Sequence, residues 1–520
     1  MIRRREFLQT SAITAGALAM GPAWWRQALA QTPATPGPGP YGPLGPLDPV
    51  TGIRVPAGFK VRQIAAGNQP VLGTTYQFPS FPDGAATFVR PDGGYSLAVN
   101  SEVPGGMGGA SAIQFDKNGA ITSASRILGG TSGNCAGGAT PWGTWLSCEE
   151  DDNGFVFECD PLGGKPAIKR EALGKFKHEA AAVDPAGMRV YLTEDISDSG
   201  FYRFTPDAYP NLSAGVLEIA RVGPDTRVEW VRVPKPVPGP GEPSTRAQVP
   251  GYTTFKRGEG IHFDSGIVYV ATTGDNRIYA YDTATERIEV LYDGNTIKDA
   301  PLTNVDNVTV HTNSGDLFVG EDPGNLELGI ITPDRVVASF LRCEGPQHGS
   351  GPAISEVTGP TFDPSGTRLY FSSQRAGGAG AVYEVTGPFR AGRPAAGAPG
   401  MPAAQPGSGA PAVRRTLRLR NAPSVLPAYL RKRGLGANVD ADRPGTYVLR
   451  LVVRIGGKDV TLAKRSRRVT AAGRVTLRVR LGPAGIKALR RLEGRQTPAK
   501  LVLTQGERRL TRPVTVRRGK

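Results

Sequence analysis

Six segments of the chain repeat one design, a polar turn followed by a short apolar strand. They read PDGGYSLAVNSE from Pro91, TPWGTWLSCEE from Thr140, DPAGMRVYLTED from Asp184, HFDSGIVYVATT from His262, HTNSGDLFVGED from His311 and DPSGTRLYFSSQ from Asp363. Successive copies lie about 45 to 50 residues apart, with one longer interval. Gly or Asn stands in each turn where a positive φ is needed, and β-branched and aromatic residues fill each strand. A four-stranded meander with its turns consumes roughly one such interval, so the period predicts an all-β chain built as a six-bladed β-propeller. A pair of β-sandwiches would use similar strands but gives no reason for a fixed spacing. The longer interval, Glu194 to His262, contains VPKPVPGPGEPSTRAQVPG and reads as an insertion on one face.

Composition divides the remaining sequence. Arg4, Arg5, Phe7 and Leu8, an apolar stretch from Ala12 to Met20 and the small residues Ala28-Leu29-Ala30 together predict a twin-arginine signal peptide over residues 1–30. That segment is too short to span a bilayer, and no later run of about 18 apolar residues follows. The expected location is therefore periplasmic, cell-surface or extracellular, with no transmembrane span. Residues 31–46 and 389–413, rich in Pro, Gly and Ala, read as linkers around a propeller at 47–388. The formal net charge is +16, yet residues 414–520 carry 29 Lys or Arg against 5 Asp or Glu, which leaves the preceding part acidic. Alternating strands such as GTYVLRLVVRI and GRVTLRVRLG predict a small, basic, β-sandwich-like domain there. Its arginines suit an anionic cell-envelope polymer. Nucleic acid fits the charge but not the absence of interleaved aromatics. Four cysteines are too few for a disulfide scaffold in so long a chain. Cys148 and Cys159 flank an acidic turn, and either a cross-hairpin disulfide or two buried thiols satisfies the sequence.

Acids fall at one place in the repeat. Three of the strands end in paired carboxylates, Glu149-Glu150, Glu194-Asp195 and Glu321-Asp322, and the earliest ends in Asn100-Ser101-Glu102. Equivalent strand ends of a propeller converge on one face, where like charges repel unless cations neutralise them. Oxygen ligands suit calcium, and a thiolate among them favours a transition metal such as iron. Glu149, Glu150, Glu194, Asp195 and Glu321 are thus candidate metal ligands, joined by Glu259 and Asp306 from their position near strand ends. Four histidines without HExxH spacing, and the absence of a credible G-x-S-x-G elbow or nucleotide loop, argue against a zinc protease, a serine hydrolase and a kinase.

The stretches NCAGGATPWGTWLSCEE, GKFKHEAAAVDPAGMRVYLTED, FYRFTP and SEVTGPTFDPSGTRLYFSSQ resemble the PhoX-type alkaline phosphatases. These are twin-arginine exported six-bladed propellers that use iron and calcium to hydrolyse phosphate monoesters. The resemblance implies iron(III) held by Cys135, Glu179 and Glu356, calcium held by Glu150 and Asp195, and a small phosphate ester as substrate. One position departs from the family. An arginine that contacts phosphate two residues before the glutamate of EVTG is here Ile354, so arginine placed at 354 is expected to raise kcat/KM. Arg342, Arg375, Lys177 and Arg203 are candidate replacement cations. His178, beside Glu179, is expected to orient a ligand, and Trp142 and Trp145 to pack between blades. Two other classes compete, a calcium-stabilised binding propeller without catalysis and a calcium-dependent propeller lactonase, which would give Cys135 no role.

Overall fold

The computed structural model describes residues 33–392 and the C-terminal stretches 418–420, 435–441, 445–455, 458–469, 473–481, 496–505 and 508–517. The expected signal peptide and most of the second linker lie outside the described residues. The chain divides into two compact units, Met1–Gly400 and Met401–Lys520. Among the described residues the secondary structure is β, apart from single turns of 3-10 helix.

The first unit contains six sheets in chain order, antiparallel except where a short N-terminal strand joins the fifth. Sheet 1 comprises Pro82–Val89, Tyr95–Ser101, Gly108–Phe115 and Ile121–Thr131. Sheet 2 comprises Asn134–Ala139, Trp145–Glu149, Val156–Cys159 and Ile168–Lys169. Sheet 3 has a fifth strand, running through His178–Asp184, Arg189–Glu194, Phe201–Ala208, Asn211–Val222 and Val228–Arg232. Sheet 4 is Gly258–Asp264, Ile267–Thr272, Arg277–Asp282 and Arg287–Asp293. Sheet 5 is Val305–Val310, Leu317–Glu321, Glu327–Ile331 and Val336–Cys343. Sheet 6, Val357–Phe362, Arg368–Ser373 and Ala381–Thr386, is completed by Lys60–Ala66 from the start of the unit. Each of the six repeated segments is the first turn and second strand of one sheet.

The first strands pack on one another in order, 1 on 2 through to 6, and the sixth packs back on the first. They surround a cavity of about 180 Å³ lined by Gly84, Ala136, Ala180, Gly260 and Gly359 among others. Small residues are required because neighbouring backbones nearly touch. A Cβ on Gly84 would lie 2.5 Å from Ala136 Cα, and one on Gly260 would lie 2.7 Å from Asn307 Cα. Bulk sits between sheets instead. Trp145 is buried among Ala86, Phe88, Ala98 and Cys159, and its indole N–H donates to Asn100 Oδ1 at 2.8 Å. Trp142 packs on the core between sheets 2 and 3, edge-on to Tyr209. Closing the last sheet with an N-terminal strand joins the two ends of the unit through six residue pairs.

Two stretches read as linkers are partly built into this unit. Ala34 is fully buried, and Thr35–Pro36 runs parallel to Val336–Val337 on the outer edge of sheet 5. Past Thr386, Phe389 joins Tyr41, Phe59 and Phe340, and Arg390 pairs with buried Asp316. Of the two readings of Cys148 and Cys159, the structure has the buried thiols. Cys148 pairs in register with Val156 and Cys159 with Trp145, and they pack into different cores on opposite faces of sheet 2. Side chains on opposite faces cannot be bridged.

The second unit has two antiparallel sheets. One is Arg418–Arg420, Leu435–Ala441 and Gly473–Val479, and the other is Lys458–Val469, Gly445–Ile455, Gln496–Gln505 and Arg508–Arg517. Tyr447, Leu449, Leu451, Leu501 and Leu503 are buried, whereas Lys464 to Arg468 on an edge strand are all exposed. No helix among the described residues is long and apolar enough to cross a membrane.

Candidate metal centre

The strand register makes a ring of acids. First and second strands begin pairing at Pro82↔Ser101, Asn134↔Glu149, His178↔Glu194, Gly258↔Thr272 and Val305↔Glu321 in sheets 1 to 5, and a β-bulge follows each pair. The residue after each first-strand member is Asp83, Cys135, Glu179, Glu259 or Asp306. A bulge re-aims the residue it contains, and here it gathers all five in the mouth of the ring. Three triplets, Asp83-Glu102-Cys135, Cys135-Glu150-Glu179 and Glu179-Glu259-Asp306, each have ligand atoms within 4.8 Å of one another. The triplets share Cys135 and Glu179, so they form one continuous cluster.

A second tier comes from the ends of the second strands. Glu102, Glu150, Asp195, Asp322 and Gln374 each follow a strand's last residue in sheets 1, 2, 3, 5 and 6. A third position, just before the first strand, supplies Lys177, Arg257 and Glu356. Lys177 Nζ lies 3.0 Å from Glu150, and Arg375 Nη1 lies 2.5 Å from Glu356. Arg257 holds both oxygens of Asp195 at 3.0 Å and also reaches Glu259 at 3.0 Å. The Gln374 amide donates to Asp83 Oδ2 and Glu102 Oε2.

These cations serve the rim and leave the deep carboxylates short of partners. Both oxygens of Glu179, Oδ1 of Asp83 and Oδ1 of Asp306 are buried without a hydrogen-bond partner, whereas Oε1 of Glu259 has only the ion pair to Arg257. Burial, compounded by neighbouring acids, pushes Asp83 up to about 8 and Glu150 up to about 7. Burial and the same neighbours hold Glu179, Glu259, Asp306 and Glu356 well above the ordinary carboxylate range, and push the Cys135 thiol up as well. Unpaired buried acids cost several kcal/mol each as anions, and a metal cation is the partner that fits a set of oxygens and one sulfur.

The structure places the sequence candidates in different settings. Cys135, Glu150, Glu179, Glu259 and Asp306 lie in the triplets, and Asp195 and Glu356 lie on the rim among the cations. Glu149, Glu194 and Glu321 are placed elsewhere, because adjacent residues on a strand point to opposite faces. Glu149 accepts from the backbone of Ser132 and Phe155. Glu194 accepts from Gly200 N, Tyr202 Oη and Arg246. Glu321 accepts from the backbone of Thr303, Asn325 and Glu327. Each braces the loop outside its sheet. Asp83, Glu102, Asp322, Arg257 and Gln374 were not among the candidates. The usable signal for the deep tier was an acid or cysteine directly before small residues, as in DGAA, CAGG, EAAA and EGI.

Other expectations change. His178 turns away from Glu179, stacks on Phe176 and places Nε2 3.1 Å from Gly174 O, and burial lowers it to about 3. Arg203 pairs with Glu218 and Arg342 with Glu327, both on outer strands. Ile354 packs, half-buried, against the core formed by Leu341, Leu369 and Phe371, so arginine there would enter an apolar contact.

The class this arrangement defines is an all-β ring of sheets that gathers a thiol and buried acids, a donor set able to hold metal ions, at its mouth. The family model described as alkaline phosphatase PhoX matches residues 108–154 and 151–290, a span holding Cys135, Glu150, Glu179 and Glu259. Over that stretch the chain is similar to the PhoX-type alkaline phosphatases. No curated protein sequence matches the chain. Among solved structures, a protein of unknown function from Bacteroides thetaiotaomicron is 12% identical with a TM-score of 0.39, covering 63% of this chain and 76% of its own. A provisional 6-phosphogluconolactonase from Bacteroides uniformis is 13% identical with a TM-score of 0.35, covering 55% and 76%. PorZ, a surface component of the type-IX secretion system of Porphyromonas gingivalis, is 11% identical with a TM-score of 0.31, covering 83% and 51%. Likeness at these scores carries no argument about function.

Proposed function

We propose that the chain is an exported, metal-dependent phosphatase acting on phosphate monoesters, with iron(III) and calcium held at the mouth of a six-bladed β-propeller. The observation that carries this is Glu179, buried with both oxygens unpartnered in the two triplets that join Cys135 to Glu259 and Asp306. No cation among the described residues is paired with that carboxylate, and the family match favours phosphate chemistry over other uses of a metal. The ring of six first strands, with the last sheet completed from the N-terminus, supports the propeller reading. Residues 47–388 form the propeller in this reading, and 414–520 a separate basic domain that binds an anionic cell-envelope polymer. The twin-arginine pattern at Arg4 and Arg5 supports export to the periplasm or cell surface.

Cys135, with Glu179 and Glu356, would hold iron, the thiolate supplying the soft donor. Glu150 and Asp195 would hold calcium, with Glu102, Glu259, Asp306 and Asp322 alongside. When bound, such cations offset the negative charge that grows on the oxygens of a transferring phosphoryl group. The chain itself fixes the ligands. Gln374 clamps Asp83 to Glu102, Arg257 holds Asp195 and Glu259, and Lys177 holds Glu150. A calcium-only lactonase or binding propeller would leave Cys135 without a use, and no feature of the mouth favours either. The test is hydrolysis of a chromogenic phosphate monoester by the full chain, before and after chelation and after return of iron and calcium. Activity lost on chelation and restored by both ions is expected. Hydrolysis of a lactone but of no phosphate ester contradicts the reading.

A further inference from the structure

Among the described residues the mouth has three cations, and they are committed to different degrees. Arg257 spends its guanidinium on Asp195, Glu259 and Asp322, and Lys177 is paired with Glu150. Arg375 makes a single ion pair among the described residues, through Nη1 to Glu356, while 41% of its side chain is exposed. Its position is fixed from the backbone, where Arg375 N donates to Ser355 Oγ at 2.9 Å. Ser355 Oγ also accepts from Ser373 Oγ, which contacts His348 Nδ1 at 2.9 Å. A long, exposed side chain therefore stands on a buried polar base.

We propose that Arg375 is the phosphate-binding cation of this protein, a specificity residue that takes over the work Ile354 cannot do. The inference rests on the phosphatase reading and deepens it. With the cluster metal-free, Arg375 is the cation paired with Glu356. Once a metal cation neutralises Glu356, that pairing loses its value, and two positive groups face each other across the mouth. An anion between them is then favoured by both, and a planar guanidinium matches two phosphate oxygens at once. Arg257 is held by three carboxylates, Asp195, Glu259 and Asp322, where Arg375 is held by one, so neutralising a single acid does not release it. The ligand class is a phosphate dianion, free or as a monoester, with the ester group directed outward past the exposed guanidinium.

The experiment is calorimetric titration of inorganic phosphate into the metal-loaded full chain, with metal content measured on the same samples. Arg375→Gln is expected to weaken phosphate binding about ten- to a hundred-fold with metal content unchanged. Arg375→Lys keeps a charge beside Glu356 but not the fork, and is expected to fall between the two. Arg342→Gln, on an outer strand, is expected to bind as wild type. Wild-type affinity in Arg375→Gln overturns the proposal, and so does equal binding by Arg375→Lys and wild type. Metal loss in both Arg375 variants also overturns it, since the residue would then serve the cluster and not the anion. If wild type hydrolyses monoesters while Arg375→Gln binds phosphate equally well, only the role of Arg375 fails. If metal-loaded wild type neither hydrolyses them nor binds phosphate, the phosphatase reading fails with it.

Discussion

Glu321 and Glu179 are buried to the same degree, 0% and 1% exposed, in equivalent hairpins of the same ring. Glu321 faces the outer loops and accepts three backbone N–H groups, whereas Glu179 faces the mouth and accepts none. Burial raises both, Glu321 to about 7 and Glu179 well above its ordinary range, with other acids adding to the rise at Glu179. One region uses a buried carboxylate to organise loops. The other keeps carboxylates without hydrogen-bond partners, so that a bound proton or a metal cation must remove their charge, which is how a candidate binding site differs from a structural acid.

The contrast breaks most sharply by exchanging the two fates. Glu179→Gln is expected to abolish metal loading and lower any hydrolytic activity by at least about a thousand-fold, while leaving the metal-free protein more stable by about 1–3 kcal/mol. Glu321→Ala is expected to do the reverse, keeping the metal but costing about 3–5 kcal/mol because three backbone donors lose their acceptor. Elemental analysis and thermal unfolding of the two variants read both effects. Metal retained in Glu179→Gln, or lost in a folded Glu321→Ala, removes the distinction.

Acidity sharpens it further. In the metal-free protein the deep acids keep protons that the unfolded chain releases near pH 4, since Asp83 is raised to about 8 and Glu150 to about 7. The folded state then binds more protons than the unfolded one, so stability falls as pH rises from about 4 to 8. Tm of the metal-free protein should drop by several degrees between pH 5 and 8, on the order of a few kcal/mol. Metal loading should remove that slope, because a bound cation takes the place of the protons. A flat or rising metal-free profile contradicts the shifts. The smallest effect concerns Ile354→Arg, expected to cost about 1–2 kcal/mol with no gain in kcat/KM, since Ile354 packs into the core between sheets 5 and 6. A faster variant would show that the side chain can leave that core and reach the mouth.

Architecture was legible because a turn and its strand recur at a fixed spacing, and all six copies fall on one hairpin position. The site was half legible. Paired acids such as Glu149-Glu150 are visible in sequence, but which member faces inward depends on a register that alternates residue by residue. The deep ligands were harder, since the bulges that turn Asp83 and Asp306 into the mouth leave little in the sequence beyond a small neighbour. Glu179 and Cys135 became candidates through family resemblance. Arg257 was missed because only the folded ring brings it to Asp195, Glu259 and Asp322.

The central claim, that the mouth of the ring is a metal centre anchored on a thiolate, is tested most directly by metal analysis. The full chain and Cys135→Ser are to be exported in the natural host, purified without chelators and measured for iron and calcium. Both metals are expected in the wild type, with loss of iron in a folded Cys135→Ser, because serine provides no anionic donor at neutral pH to replace thiolate. Equal iron in the two proteins, or a fully active wild type without metal, would contradict it.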